Sequence, residues 1–115
     1  MDLNALVLTT IGATSRQERS NPLGWFDGGN GTWLVVAAAA GGPRNRAWYD
    51  NLAAHPDRVR IELDGKAIDV TAAQLHGGER AEAWAQITRM APRFAGYARS
   101  TDREIPVIQL TRRDI

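Results

Sequence analysis

Two runs of alternating residues, separated only by Asp64-Gly65, constrain the fold of this chain more than any other feature. In the first run, from Arg58 to Leu63, every second residue is apolar, and the return run extends from Lys66 to about Leu75. Asp-Gly between two such runs is a strong signal for a two-residue hairpin. The inward residues are expected to be Val59, Ile61, Leu63, Ile68, Val70 and Ala72. At least one antiparallel pair with a single apolar face is therefore predicted.

Four other segments have the composition of short strands. They are Leu3 to Ile11, Arg19 to Phe26, Thr32 to about Ala38, and Ile105 to Thr111. Glycine and Asn adopt positive φ readily, so the segment 27–31 predicts a turn between the second and third of the six strands.

Two helices are predicted between the strands. Asn45 is a suitable N-cap for a short helix that runs to about Ala54 and ends before Pro56. The second helix runs from Glu79 to about Met90, and segment 94–99 adds one more helical turn. Its apolar side is expected to comprise Ala83, Trp84, Ile87 and Met90.

The element order β-β-β-α-β-β-α-β determines the predicted fold class. Most connections are hairpins, so the sheet should be mainly antiparallel. Six short strands favour a small closed or half-closed barrel with helices packed outside. We predict a mainly β (α+β) fold in which residues 1–115 form a single domain, since this length suits one domain.

Charge and composition exclude several classes of function. The formal net charge is +1, which gives no support for binding nucleic acid, and the absence of cysteine rules out disulfides and thiolate metal sites. The longest apolar stretch, residues 33–40, is too short to span a membrane, and the first residues lack the features of a signal peptide. A cytoplasmic location is the resulting expectation.

The loop from Ala13 to Arg19 is the first candidate binding segment. It contains hydroxyl groups, an amide and two arginines, which are the groups that bind an oxyanion such as phosphate. The alternative is an ordinary solvated loop. Basic residues other than Lys66 are all arginine, which fits either recognition of an anion or codon bias.

Two further candidate segments flank the start of the first helix. Small residues such as Ala37 and Ala38 would let a flat ring lie close to the backbone, although a helix could pack there instead. A helix N-terminus beside Arg44 would favour an anion. Trp48 and Asn51 share a helix face, where they could stack on and hydrogen-bond a heterocycle, or serve core packing and a polar contact.

A last candidate segment contains Phe94 and Tyr97, which could overhang a pocket or simply seal the barrel end. Neither His55 nor His76 has the spacing of a metal ligand, and no nucleophilic triad or phosphate-binding glycine motif can be assembled. A redox cofactor fits this pattern, because the protein then needs only to bind it, orient it and exclude water.

Four segments in order resemble the deazaflavin-dependent nitroreductase family, whose members are also called deazaflavin-dependent quinone reductases. They are residues 8–12 (Leu-Thr-Thr-Ile-Gly), 19–23 (Arg-Ser-Asn-Pro-Leu), 47–52 (Ala-Trp-Tyr-Asp-Asn-Leu, with His-Pro following) and 101–107 (Thr-Asp-Arg-Glu-Ile-Pro-Val). Each segment is short, but together they span nearly the whole chain in register.

The resemblance implies a split β-barrel like that of the flavin-binding pyridoxamine oxidase superfamily. It also implies binding of coenzyme F-420, a deazaflavin with an anionic phospholactyl-oligoglutamate tail, and hydride transfer to quinones, enones or nitro compounds. By similarity, the anionic part would contact Thr14, Ser15, Arg16, Gln17, Arg19, Asn21, Pro22 and Arg44. The deazaflavin side would be lined by Ala37, Ala38, Ala47, Trp48, Tyr49 and Asn51. Apart from the resemblance, Phe94 is a further candidate at the pocket, and Tyr97 is the candidate substrate-side hydroxyl.

The sequence departs from the family pattern in the loop and near the acceptor. The family loop usually reads Lys-Ser/Thr-Gly, where this chain has Thr14-Ser15-Arg16. Some members carry a serine near Ala38 and tyrosines near Ala91 and Phe94, and those hydroxyl groups are absent here. The acceptor is therefore left open.

Two alternatives to the deazaflavin oxidoreductase also stay open. FMN could bind the same fold, although four arginines near the two candidate loops favour a more anionic coenzyme. The chain could also carry the coenzyme without turning it over. Split barrels commonly pair, so a homodimer is one expected assembly.

Overall fold

The computed structural model describes residues 4–37, 47–99 and 104–113, and within them six strands and three helices form. The strands are β1 (Asn4–Ile11), β2 (Glu18–Gly29), β3 (Thr32–Val36), β4 (Val59–Leu63), β5 (Lys66–Gln74) and β6 (Val107–Arg112). The helices are α1 (Ala47–Ala54), α2 (Gly77–Met90) and α3 (Arg93–Arg99).

The six strands close into a barrel in the order β1-β2-β3-β6-β5-β4, and β4 pairs back with β1. Every neighbouring pair is antiparallel. Closure pairs the backbone groups that an open sheet would leave at its edges. The six-stranded antiparallel barrel predicted from the sequence is confirmed, and the predicted turn near residue 94 is the third helix, α3.

The barrel interior is filled by inward residues of the strands together with two residues of α1. Leu8, Ile61 and Leu110 are fully buried there. Trp48 and Leu52, four residues apart on α1, share a helix face and enter the same cluster. Burying side chains of this size stabilises the fold by roughly 1.5–3 kcal/mol each, so α1 is fixed against one end of the barrel.

A second apolar cluster lies between the outer surface of the barrel and α2. It joins Leu34 and Val107 of the strands to Ala83 and Ile87 of the helix. Leu34 belongs to this cluster while its neighbours in β3 face the interior, so β3 is covered on both sides.

The prediction that Met90 belongs to the buried apolar side of α2 is wrong, because 53% of its surface is exposed. The buried stripe advances in steps of four from Ala83 to Ile87 and on to Ala91, and Met90 lies beside it.

The two tight hairpins have the geometry expected of their residues. In the β4–β5 turn, Asp64 and Gly65 have φ of 54° and 78°. In the β2–β3 turn, Asn30 and Gly31 have φ of 53° and 76°. β2 extends further than predicted, through Gly29, because a register shift between residues 27 and 29 lets pairing with β3 continue almost to the turn.

Among the residues that the structure describes, no helix has the length and apolar content needed to cross a membrane.

Candidate functional site

The topology collects the long connections at one end of the barrel. β1, β3 and β5 end there, and β2, β4 and β6 begin there, because all neighbours are antiparallel. The β1–β2 loop and the connections that contain α1, α2 and α3 therefore share this end. The opposite end has the two tight turns, 30–31 and 64–65. Any site built from several connections must lie at the helix end.

The β1–β2 loop, residues 12–17, is closed by bonds of its own backbone. The Gly12 N–H donates to Gln17 O at 2.8 Å, and the Arg16 N–H donates to Gly12 O at 3.0 Å. Arg16 has φ of 62°, and the Gln17 N–H donates to Ser15 Oγ at 3.2 Å. Gly12 is required by close approach, because a β-carbon there would collide with Ser15 Oγ.

Asn51 of α1 joins this loop to the barrel. Its Oδ1 accepts a hydrogen bond from the Ala13 N–H at 3.0 Å, and its Nδ2 donates to Thr10 Oγ1 at 3.1 Å. Asn51 is 6% exposed and Thr10 is fully buried. One side chain thus fixes the loop relative to both β1 and α1.

A cavity of about 560 Å³ lies where the loop meets α1. This volume is within the range of small-molecule sites. The lining residues are Gly12, Ala13, Thr14, Ser15, Arg19, Ser20, Asn21, Ala47, Asp50 and Asn51.

The donor groups of this cavity suit an anionic ligand. Arg19 contributes a guanidinium, and Thr14 and Ser15 contribute hydroxyl groups. Within the described part of the chain, the backbone N–H groups of Thr14 and Ser15 have no hydrogen-bond acceptor. Asp50 brings a carboxylate to the lining, but it already interacts with another residue. The residues present therefore fit a phosphate or carboxylate group.

Six residues predicted from the sequence meet in this one cavity. They are Thr14, Ser15, Arg19, Asn21, Ala47 and Asn51. Arg16 and Gln17 belong to the same loop but do not line the cavity, and Pro22 follows on β2, opposite Val7. Ala38 and Arg44 lie outside the described residues.

Three of the residues predicted to line the deazaflavin ring have side chains that pack or hydrogen-bond within the protein. Ala37 is 1% exposed and Trp48 is 5% exposed, and both pack in the barrel interior. The Tyr49 hydroxyl donates to Gln74 Oε1 at 2.6 Å, which ties α1 to the end of β5.

Phe94 and Tyr97 lie on α3 and do not line the loop cavity. Their rings meet edge to face with centroids 5.4 Å apart, and Phe94 meets Phe26 in the same manner at 5.9 Å. The Arg93 guanidinium lies 5.0 Å from the centre of the Phe94 ring. These contacts fix the orientation of α3 against the outer cluster.

Five residues of the site were not among the predicted site residues. Gly12, Ala13, Ser20 and Asp50 line the cavity, and Thr10 holds Asn51. Gly12 was recognisable as the residue that ends the first strand. Thr10 had no comparable signal, since a threonine in a strand is ordinary and its partner is 41 residues away.

A second groove, of about 360 Å³, lies near β1, β4 and β5. Its lining includes three arginines and three carboxylates, and Arg60 forms an exposed ion pair with Glu18 at 3.5 Å. The balance of charge gives this groove no preference for an anion. Among the described residues, no group of three or more potential ligands could hold a metal ion.

Residues 1–112 match the family model of the F420H(2)-dependent quinone reductases. An F420H(2)-dependent quinone reductase of Mycobacterium tuberculosis is 39% identical over 112 residues, which cover 95% of this chain and 74% of that protein.

Two solved structures, each 35% identical with a TM-score of 0.83, also match 96% of this chain. One is an F420-H2-dependent reductase, of which 96% is covered, and the other is a domain-swapped dimer, of which 81% is covered. A Listeria innocua structure described as a pyridoxamine 5′-phosphate oxidase shares the fold alone, with 10% identity, a TM-score of 0.64 and coverage of 96% of this chain and 85% of that one.

Proposed function

The chain belongs to the F420H(2)-dependent quinone reductase family, and we propose that it transfers a hydride from reduced coenzyme F-420 to a small electron-poor acceptor such as a quinone, an enone or a nitro compound. The observation that carries the proposal is the cavity between the β1–β2 loop and α1, which gathers anion-binding groups at the helix end of the barrel. We propose that residues 1–115 work as one domain.

The anionic part of the coenzyme would bind at the loop. Arg19 would neutralise its charge, and the hydroxyl and N–H groups of Thr14 and Ser15 would donate to its oxygens. Gln17 and Arg16 are exposed at the rim of the same loop and would contact the more distant part of the tail. Asn21, Pro22 and Arg44 complete the proposed set.

When bound, the reduced coenzyme supplies a hydride from C5 of its deazaflavin ring. The protein would hold the ring beside the acceptor and keep water away, so that proximity and orientation provide most of the rate. We propose that Ala37, Ala38, Ala47 and Trp48 line the ring side through their backbone, and that Tyr49, Asn51 and Phe94 lie beside it. Reduction of the acceptor is completed by a proton from water or from a side chain.

Tyr97 is the proposed substrate-side hydroxyl. It is half-buried and held against Phe94, which gives it a defined orientation on α3. In Tyr97→Phe we expect kcat to fall roughly 100-fold, as for loss of a general acid, with unchanged coenzyme affinity. Steady-state kinetics at saturating coenzyme measures this, and an unaltered kcat would remove Tyr97 from the reaction.

The proposal is tested by titrating the purified protein with coenzyme F-420 and, separately, with FMN, and following fluorescence. We expect micromolar or tighter binding of the deazaflavin and weak binding of FMN. The reduced complex is then mixed with quinones, enones and nitro compounds. Preference for FMN would contradict the proposed cofactor, and binding without turnover of any acceptor would indicate a carrier.

We further propose that the protein pairs as a homodimer in the cytoplasm. A 35% identical structure described as a domain-swapped dimer supports pairing. Sedimentation equilibrium measures the mass in solution against the 12.6 kDa of one chain, and a mass of one chain at all concentrations would contradict it. Cell fractionation tests the location.

A further inference from the structure

Asn51 was expected from the sequence to contact the coenzyme ring, but its amide group is already engaged within the protein. Oδ1 accepts from the Ala13 N–H at 3.0 Å, and Nδ2 donates to Thr10 Oγ1 at 3.1 Å. The side chain is 6% exposed, so these contacts are shielded from water. Both ends of the amide therefore serve to join α1, β1 and the β1–β2 loop.

The hydrogen bond from the Ala13 N–H to Asn51 Oδ1 differs from the other hydrogen bonds of the loop, because it leaves the loop. The hydrogen bonds that Gly12, Ser15, Arg16 and Gln17 form with one another close the loop on itself. Within the described residues, the bond from Ala13 to Asn51 is the hydrogen bond that ties loop residues 13–17 to a different element of the fold. Without it, the loop would keep its internal turn but lose its orientation relative to α1.

Thr10 explains how Asn51 is held. It lies two residues after Leu8 on the inward side of β1, and it is a fully buried polar residue in a position otherwise suited to an apolar one. Its hydroxyl oxygen accepts from Asn51 Nδ2, which orients the amide so that Oδ1 meets Ala13. Thr10 does not line the cavity, and its hydroxyl reaches a ligand there through Asn51, while its backbone pairs with Arg19 across the β1–β2 ladder.

The same arrangement decides which donors are left for an anion. The Ala13 N–H is occupied by Asn51, whereas the N–H groups of the next two residues, Thr14 and Ser15, have no acceptor among the described residues. Consecutive free N–H groups in a turn form a concave anion site. Asn51 therefore fixes the position of these donors relative to Ala47 and Asp50 on the other side of the cavity.

We infer that Asn51, oriented by Thr10, is a positioning residue that holds the 12–17 loop in its anion-binding conformation. This inference rests on the proposed function for the identity of the anion, which is the phosphate-bearing part of coenzyme F-420. It differs from that function in assigning Asn51 to the protein side of the site.

Thr10→Val is the decisive variant, because it removes the hydroxyl with little change in the shape of the side chain, and among the described residues that hydroxyl is hydrogen-bonded to Asn51 and to no other cavity residue. Thr32→Val is the matched control: Thr32 Oγ1 donates to Gly29 O at 2.7 Å in the turn at the opposite end of the barrel. Asn51→Asp is the second variant. A carboxylate can accept from both Ala13 and Thr10, so the loop stays fixed while a negative charge is added beside the cavity.

The first readout is hydrogen exchange of the Ala13 amide, measured by NMR without any coenzyme. We expect faster exchange in Thr10→Val and wild-type exchange in Thr32→Val and Asn51→Asp. The second readout is fluorescence titration with coenzyme F-420 and competition by inorganic phosphate. Thr10→Val should raise the coenzyme Kd roughly 3- to 10-fold, with kcat at saturating coenzyme unchanged.

The outcomes separate the inference from the proposed function. If the wild type binds coenzyme F-420, and Thr10→Val matches Thr32→Val in both Ala13 exchange and Kd, the positioning role is overturned. If Asn51→Asp weakens binding while Thr10→Val leaves the coenzyme Kd unchanged, the loss comes from the added charge and not from the position of the loop, and the inference is also overturned. If the wild type does not bind the coenzyme, the proposed function fails, while Ala13 exchange still decides whether Thr10 and Asn51 position the loop.

Discussion

Two connections of the same barrel, the β1–β2 loop and the β4–β5 hairpin, join antiparallel strands in opposite ways. The hairpin uses two residues, Asp64 and Gly65, both with positive φ, and its geometry follows from those residues alone. The β1–β2 loop spans residues 12–17, and its orientation depends on Asn51 from a helix far along the chain. The conformation of the hairpin is therefore determined locally, and the hairpin only connects two strands. The orientation of the β1–β2 loop is determined by a tertiary contact, and this loop forms part of a cavity.

The largest expected difference concerns the arginine that follows the loop. Arg19→Ala should weaken binding of coenzyme F-420 by about 1.5–3 kcal/mol, the cost of losing a charge-assisted hydrogen bond, with little change in stability because Arg19 is exposed. The matched control is Lys66→Ala, which removes the exposed basic residue directly after the hairpin and should leave affinity unchanged. Fluorescence titration of both variants measures the effect, and equal affinities would remove Arg19 from the site.

A slightly smaller effect is expected at the start of the loop. In Gly12→Ala the added methyl group meets Ser15 Oγ and the Gln17 carbonyl oxygen, so the Ser15 side chain must move and its hydrogen bond from the Gln17 N–H is disturbed. Overpacking of this kind costs about 1–3 kcal/mol of stability, and the displaced Ser15 should lower coenzyme affinity as well. Gly78→Ala is the control, because a methyl group there meets open space. Thermal denaturation measures the stability and titration measures the affinity. A Gly12→Ala variant that behaved like the control in both would contradict the prediction.

The smallest effect is expected in the hairpin itself. Gly65 has φ of 78°, and a β-carbon added there would meet open space, so Gly65→Ala adds backbone strain without a collision. That strain costs about 1–2 kcal/mol of stability. Coenzyme affinity should not change, since the turn lies at the end of the barrel opposite the cavity. Chemical denaturation measures the loss of stability. A weaker coenzyme affinity in this variant would contradict the view that the hairpin serves only the fold and the β1–β2 loop serves binding.

Local sequence was sufficient where one or two residues dictate the backbone. Asp64 and Gly65 predicted the hairpin, alternation predicted the inward side of β4 and β5, and Pro56 marked the end of α1. The six-stranded antiparallel barrel followed from these elements. Patterns that depend on the surroundings were less informative. Met90 has the spacing of a buried residue on α2, but the residues of α2 that become buried are Ala83 and Ile87, followed by Ala91, and Met90 is exposed beside them.

The sequence by itself determined the order of the strands along the chain, the tight turns and the presence of anion-binding groups in the 13–19 segment. Only the tertiary structure decided which predicted groups meet. It brought Thr14, Ser15 and Arg19 to one cavity with α1, buried Trp48 in the barrel, and left Tyr97 out of the lining of that cavity. The physical reason is that the bond joining Asn51 to Thr10 links residues 41 positions apart, and such contacts exist only after the barrel has closed and α1 has packed against its end.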